Sequence, residues 1–256
     1  MFLWDNIAFG PVHSRRLGSS LGINVSPTTQ KICSFDCIYC ECGWTLEKNI
    51  NPAFFFSVEV IIDAVEKKLS HCKETSTQIN SITFSGNGEP TLHPEFDQII
   101  ESLVVLRNKY YPQTNITCLS NATQLSNNKV LSALKKIENP ILKLDAVVEP
   151  LFQLINKPII PISVEDIIMQ LQQMNGDFIL QTLFFKGNID GHFFNNALEP
   201  HLSLWMNVAK QLHPKKVMIY SLDRDTPAHG LEKISKESLQ EIAQQLQKFN
   251  MEVTAY

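Results

Sequence analysis

The sequence predicts an α/β fold, a partial (β/α)6 barrel, on three observations. Apolar runs of strand length alternate with stretches of helical periodicity almost from end to end. The strand candidates are rich in Ile, Val, Leu and Phe, as strands covered on both faces should be. No Gly/Ser linker, low-complexity tract or charge run divides the 256 residues, so residues 1–256 read as one core domain with a short N-terminal extension.

The elements follow in order. Strand candidates are LGINV (21–25), SITFS (81–85), NITCLS (115–120), ILKLDAV (141–147), FILQTLFF (178–185) and KVMIYSL (216–222). Amphipathic stretches lie near 57–70, 95–110, 126–136, 163–174, 196–212 and 235–249. VEVIIDAVEKKL is representative, with its apolar residues at helical spacing. Strand and helix thus alternate through six units, the pattern of a parallel sheet curved into a barrel.

Composition narrows the function classes. With 44% hydrophobic and 19% charged residues a full core is available and wholesale disorder is excluded. A net charge of -4 gives no global attraction to phosphate backbones, although a local basic patch could still supply one. The opening MFLWDNIAFGPVHSRRLG lacks a basic region followed by an apolar run, and no long apolar stretch follows, so a cytoplasmic location without membrane association is expected. Of six cysteines, three fall within residues 33–40, which points to metal or redox chemistry in a reducing compartment rather than a disulfide framework.

In parallel α/β folds reactive groups gather on the loops after the strands. Here those loops are SPTTQKICSFDCIYCECG, GNGEPTLHP, NATQ, DAVVEP, KGNIDGH and DRDTPAHG, rich in Gly, Pro, Asn, Asp and Cys. In the first, Cys33, Cys37 and Cys40 have C-x3-C-x2-C spacing. Iron-sulfur clusters are held by thiolates, normally four. Three would leave one iron open for a reactant, much as a catalytic zinc keeps a free position. The alternatives are a zinc site, for which no second ligand pair occurs elsewhere in the chain, or a chance group of buried cysteines. Cys42 is a candidate fourth thiolate or a packing residue, while Cys72 and Cys118 read as buried helix and strand residues.

This spacing, with aromatic Tyr39 before the third cysteine, resembles the radical S-adenosylmethionine superfamily. One unit later Ser85-Gly86-Asn87-Gly88-Glu89-Pro90 is similar to that family's Gly-Glu-Pro segment. FGPVHSRRLGSSLGIN, KLDAV and IYSLDRDTPAHGL resemble the small members related to the wybutosine (tricyclic guanosine) tRNA synthases. Those synthases carry a second cluster on cysteines ahead of the motif, and this chain has none before Cys33, a departure from the pattern that goes with their pyruvate-dependent reaction.

The resemblance implies a barrel of the radical S-adenosylmethionine type and an enzyme of the iron-sulfur oxidoreductase or lyase type. A [4Fe-4S] cluster on Cys33, Cys37 and Cys40 would cleave S-adenosylmethionine reductively, and the 5′-deoxyadenosyl radical would abstract hydrogen from substrate. Gly86, Asn87, Gly88, Glu89 and Pro90 would form the methionine site, with Gly86, Gly88 and Glu89 at its ammonium. Tyr39 would lie beside adenine. Ser120 and Asn121 stand where the family binds ribose, with capping of the next turn as the alternative for Asn121. Asp145 is expected on the same rim, reached by Lys143 or Gln181, since Lys143 and Asp145 point to one side of their strand. An external electron donor such as flavodoxin or ferredoxin is implied.

For the substrate, a tRNA base comes first by resemblance, with a peptide or small metabolite as the alternative. Arg15, Arg16 and Arg224 could bind a phosphate or carboxylate. These segments come from opposite ends of the chain, and an open barrel would curl them together across the mouth. A non-enzymatic electron carrier or sensor is the competing class; it would want a fourth ligand and have no use for Gly-Glu-Pro.

Overall fold

In the computed structural model, which describes residues 2–256, the chain opens with an antiparallel hairpin of β1 (Ala8–Ser14) and β2 (Gly18–Ile23). Beside β2, in chain order and all parallel, lie β3 (Ser81–Phe84), β4 (Asn115–Ser120), β5 (Asn139–Lys143) and β6 (Ile179–Leu183). The hairpin of β7 (Phe185–Ile189) and β8 (His192–Asn195) then leaves the main sheet. β9 (Lys216–Tyr220) returns beside β6, β10 (Leu231–Lys233) joins β7, and β11 (Val253–Ala255) ends the row next to β9. The eight-stranded order β1-β2-β3-β4-β5-β6-β9-β11 never doubles back, and β1 and β11 do not pair with each other, so the sheet is an open barrel.

Helices cover its outer face: α1 (Val58–Glu74), α2 (Phe96–Tyr110), α3 (Asn128–Leu134), α4 (Glu149–Asn156), α5 (Val164–Gln172), α6 (His201–Leu212) and α7 (Lys236–Gln247). Their starts are written in the sequence. Ser57 accepts the amide of Val60, Ser163 and Asp166 form a capping box, and Ser235 accepts the amide of Ser238. On α1 the buried residues are Ile61, Val65, Leu69 and Cys72, one stripe at helical spacing that packs into the main core. Cys72 and Cys118 are buried, as expected.

All six expected β–α units are present, with differences at their edges. The stretch before residue 21, read as an extension, is β1 plus the start of β2; its Gly, Ser and Arg residues hid the alternation. KGNIDGH, expected to be a rim loop, is the β7–β8 hairpin, turning at Asp190 and Gly191 with φ of 51° and 83°. An Asp-Gly pair is a hairpin signal in its own right. α4 begins within DAVVEP, at Glu149, where short, proline-bearing sequence masked the periodicity.

Side-chain alternation sorts the barrel interior into layers. Ile141, Ile179 and Met218 form an apolar floor with Leu17, Leu119 and Tyr256. Two residues further along their strands, Lys143, Gln181 and Tyr220 form the polar layer above it. On the opposite strands the lining hydroxyls bond one another, Ser20 to Thr83 at 2.8 Å and Ser81 to Thr117 at 2.7 Å.

Candidate active site

The cysteine loop leaves β2 at the carboxyl ends of the strands and is pinned on three sides. Ile32 forms a parallel bridge to Gly88, and Phe35 an antiparallel one to Pro158. The amide of Ile38 donates to the Ile155 carbonyl at the end of α4, and the amide of Ala228 donates to the Ile38 carbonyl at 3.2 Å. Two turns, Cys40 N–H to Cys37 O and Gly43 N–H to Cys40 O, wind the chain so that the cysteines face inward.

Cys33, Cys37 and Cys40 line one cavity of about 160 Å3, together with Tyr39, Gly88, Glu89, Ser120, Asn121, Asp145 and Asn156. Polar hydrogens converge on the sulfurs. Asn121 Nδ2 lies 3.7 Å from Cys33 Sγ, the Phe35 amide 3.5 Å from the same sulfur, and Asn156 Nδ2 3.6 Å from Cys37 Sγ. Burial pushes the Cys33 thiol up and that of Cys37 up to about 11. The Cys40 thiol is held below the ordinary value against the effect of burial, by neighbouring Cys42 first and by the Lys31 ammonium. Among the described residues no three His, Cys, Asp or Glu side chains converge tightly enough to hold a single metal ion. A cubane asks for a wider triangle, because each thiolate bonds a different iron, and three inward sulfurs with donors at their backs fit that need.

Cys42 stands outside this ring. Its sulfur points at the Gly86 carbonyl, 3.8 Å away, and it does not line the cavity.

The Gly-Glu-Pro segment lies against the cysteine loop, and its residues make extensive contacts within the protein. A Cβ on Gly88, whose φ is +127°, would come within 1.8 Å of the Ile32 carbonyl oxygen, so this glycine is required by loop-to-loop contact. Glu89 is buried and accepts four protein donors: Thr91 N and Oγ1 at 3.0 and 2.6 Å, Ser120 Oγ at 2.8 Å and Asn121 N at 2.6 Å. A carboxylate has about four acceptor sites, so the side chain expected at an ammonium is fully engaged as a strut between the ends of β3 and β4. Burial raises its pKa. Asn87 is likewise committed, bonding Trp4 N and O and the Pro27 carbonyl. Pro90 begins a short 3-10 turn.

Ser120 and Asn121, expected at ribose, are also occupied. Ser120 Oγ donates to Glu89 and accepts Ala122 N, while Asn121 gives Nδ2 to Ser34 Oγ at 2.8 Å and takes Thr123 N–H and O–H on Oδ1.

The opposite wall is an ionic cluster. The Tyr39 phenol donates to Asp145 Oδ2, and Asp145 Oδ1 accepts Leu183 N at 2.8 Å and faces Lys143 Nζ at 3.2 Å. Lys143 also donates to Tyr220 Oη at 2.8 Å. Burial alone would lower the Lys143 pKa, but Asp145 holds it above the ordinary lysine value; burial, aided by Asp145, raises that of Tyr39. Lys143 does reach Asp145, as expected. Gln181 does not; it is buried with Nε2 unpartnered. Asn156 was missed in the sequence, since an Asn ending a short helix carries no signal of its own.

The three arginines separate. Arg15 pairs with Asp223 at 2.8 Å and Arg224 with Glu41 at 2.6 Å, both exposed. Arg16 lays its guanidinium over the Tyr220 ring at 4.4 Å and keeps Nη1 buried without a partner. Arg15 and Arg16 stand in the β1–β2 turn, before the start of β2. Their side chains nevertheless meet the end of β9, bringing the two ends of the chain together across the open seam.

A family model described as "Radical SAM superfamily" matches residues 28–185. A Helicobacter pylori "UPF0026 protein" is 32% identical over 236 residues, 91% of this chain and 71% of the relative. Among solved structures, Streptococcus suis SuiB bound to S-adenosylmethionine superposes with a TM-score of 0.62 at 14% identity, over 89% of this chain and 48% of that one. A radical SAM methyltransferase from Sphaerobacter thermophilus gives 0.63 at 15%, over 93% and 66%. The chain therefore spans about half the length of SuiB, and these two likenesses are of fold. No described helix is long and apolar enough to cross a membrane.

Proposed function

The chain belongs to the radical SAM superfamily, and from that premise we propose that it is an enzyme holding a [4Fe-4S] cluster on Cys33, Cys37 and Cys40, with S-adenosylmethionine at the iron these leave open. The observation that carries this reading is that the three cysteines line one cavity with Gly88, Glu89, Ser120, Asn121 and Asp145. Bound there, the cluster and cofactor supply a 5′-deoxyadenosyl radical that takes hydrogen from substrate.

This chain's own residues do the rest. Of the Gly86–Gly88 carbonyls, that of Gly86 accepts the Gly88 amide and that of Asn87 the Ile32 amide; the Gly88 carbonyl is left for the methionine ammonium, and Glu89, Ser120 and Asn121 hold the loops that present it. Tyr39, Asp145 and Lys143 form a fixed, charge-compensated wall beside the cavity. Phe185 meets the Tyr39 ring edge-on with centroids 5.5 Å apart and keeps water from that side. An external one-electron donor such as flavodoxin or ferredoxin would serve the cluster.

The substrate we propose is anionic, with a tRNA base first by the wybutosine-type resemblance and a peptide or small metabolite next. Arg16 supports it, as the one of the three whose guanidinium is paired with no carboxylate. The test is anaerobic reconstitution with iron and sulfide, followed by S-adenosylmethionine and dithionite. 5′-Deoxyadenosine is the expected product; a brown, fully loaded protein that makes none is an electron carrier or sensor instead.

A further inference from the structure

Two residues ahead of the first cysteine, Lys31 is a lysine that the surface does not use. Its side chain is 2% exposed, and lysine is almost never buried unless paired. Nζ donates to the Gly43 carbonyl at 2.9 Å, at the turn that closes the cysteine loop. Its nearest carboxylate, Asp36 Oδ1, is 4.0 Å away, is itself partly exposed and already accepts the Thr45 amide at 2.6 Å. The Gly43 amide in turn donates to the Cys40 carbonyl at 2.9 Å, which ties the ammonium to the cysteine loop, and negative charge on Cys40, Cys33 and Cys37 would favour its charged form. A buried ammonium is costly unless compensated, and a weak pair with Asp36 leaves much of that compensation to the three thiolates.

We infer that Lys31 is a positioning residue that sets the reduction potential of the cluster, its fixed positive charge stabilising the reduced form. The inference rests on the reading that Cys33, Cys37 and Cys40 hold a cubane. Reduction adds one negative charge to the metal group, and a cation lodged in low-dielectric surroundings lowers the energy of the added charge more than that of the oxidised state. Asp36, 4.0 Å from Lys31 and partly exposed, opposes this effect. The two therefore act with opposite sign on one potential, as a lysine that merely packed the loop would not.

The measurement is an EPR-monitored redox titration of the anaerobically reconstituted full chain, without substrate, for wild type, Lys31→Gln, Lys31→Arg and Asp36→Asn. At the wild-type midpoint the ratio of reduced to oxidised cluster in Lys31→Gln is expected to fall at least tenfold, a shift of about 59 mV to more negative potential for one electron. Lys31→Arg, which keeps the charge, should stay near wild type. Asp36→Asn keeps an oxygen for the Thr45 amide and should move the midpoint to more positive potential. An unchanged midpoint in a fully loaded Lys31→Gln overturns the inference. If Lys31→Gln cannot retain iron, Asp36→Asn decides, and a midpoint that stays put or moves negative overturns it. Failure of the wild type to assemble any cluster would instead remove the cluster reading itself.

Discussion

The carboxylate of Glu89 accepts the main-chain N–H of Asn121 at 2.6 Å, tying the loop after β3 to the end of β4. Through Asn121 the tie reaches Ser34 Oγ and Cys33 Sγ, so one buried acid supports two loops of the site at once. Glu89→Gln would turn one acceptor oxygen into a donor facing other donors. We expect a loss of roughly 1–3 kcal/mol of stability, about 2–12 °C in melting temperature for a chain of this size, with weaker S-adenosylmethionine binding as a consequence. Unchanged melting with weakened binding would place Glu89 at the ammonium after all.

The Tyr39–Asp145–Lys143 wall separates two kinds of cost. Tyr39→Phe removes one hydrogen bond to a carboxylate that keeps Lys143 and the Leu183 amide; about 1.5–3 kcal/mol is expected. Asp145→Asn strands a buried ammonium, for which roughly 3–5 kcal/mol is expected. Adding Lys143→Met to Asp145→Asn should recover part of that loss. Chemical denaturation of the three variants checks the order, and a double variant less stable than Asp145→Asn alone would show that the pair is not coupled.

Arg15→Ala and Arg224→Ala break exposed pairs, each worth at most about 1 kcal/mol, and should leave the site intact. Arg16→Ala should behave differently. Cofactor cleavage without substrate persists, because neither the cysteines nor the Gly-Glu-Pro loop is touched, whereas stimulation of 5′-deoxyadenosine formation by unfractionated tRNA, the trial substrate, falls at low salt. Stimulation unaffected in Arg16→Ala moves the substrate site to the β7–β8 hairpin.

Much of this was legible in the sequence because it is carried by spacing and periodicity. C-x3-C-x2-C, the glycine loop one unit later and six alternating apolar runs each report a local constraint, and each reappears in the fold at its expected place. What sequence could not carry is which partner a polar side chain chooses. Glu89 looks the same whether it faces a ligand or four protein donors, and only the approach of β4 decides. Arg15 and Arg16 are neighbours in sequence, yet one meets Asp223 in solvent and the other lies on Tyr220. Asn156 and Lys31 act across loops, at separations where no sequence pattern points from one residue to the other.

The most direct measurement is iron and acid-labile sulfide content, with the visible spectrum, after anaerobic reconstitution of Cys37→Ala and Cys42→Ala beside the wild type. Three thiolates anchoring a cubane with one open iron require that Cys37→Ala lose the cluster, while Cys42, which faces the Gly86 carbonyl outside the cavity, can be replaced with the cluster kept. Full loading and an unchanged chromophore in Cys37→Ala, or loss of both in Cys42→Ala, would contradict the assignment.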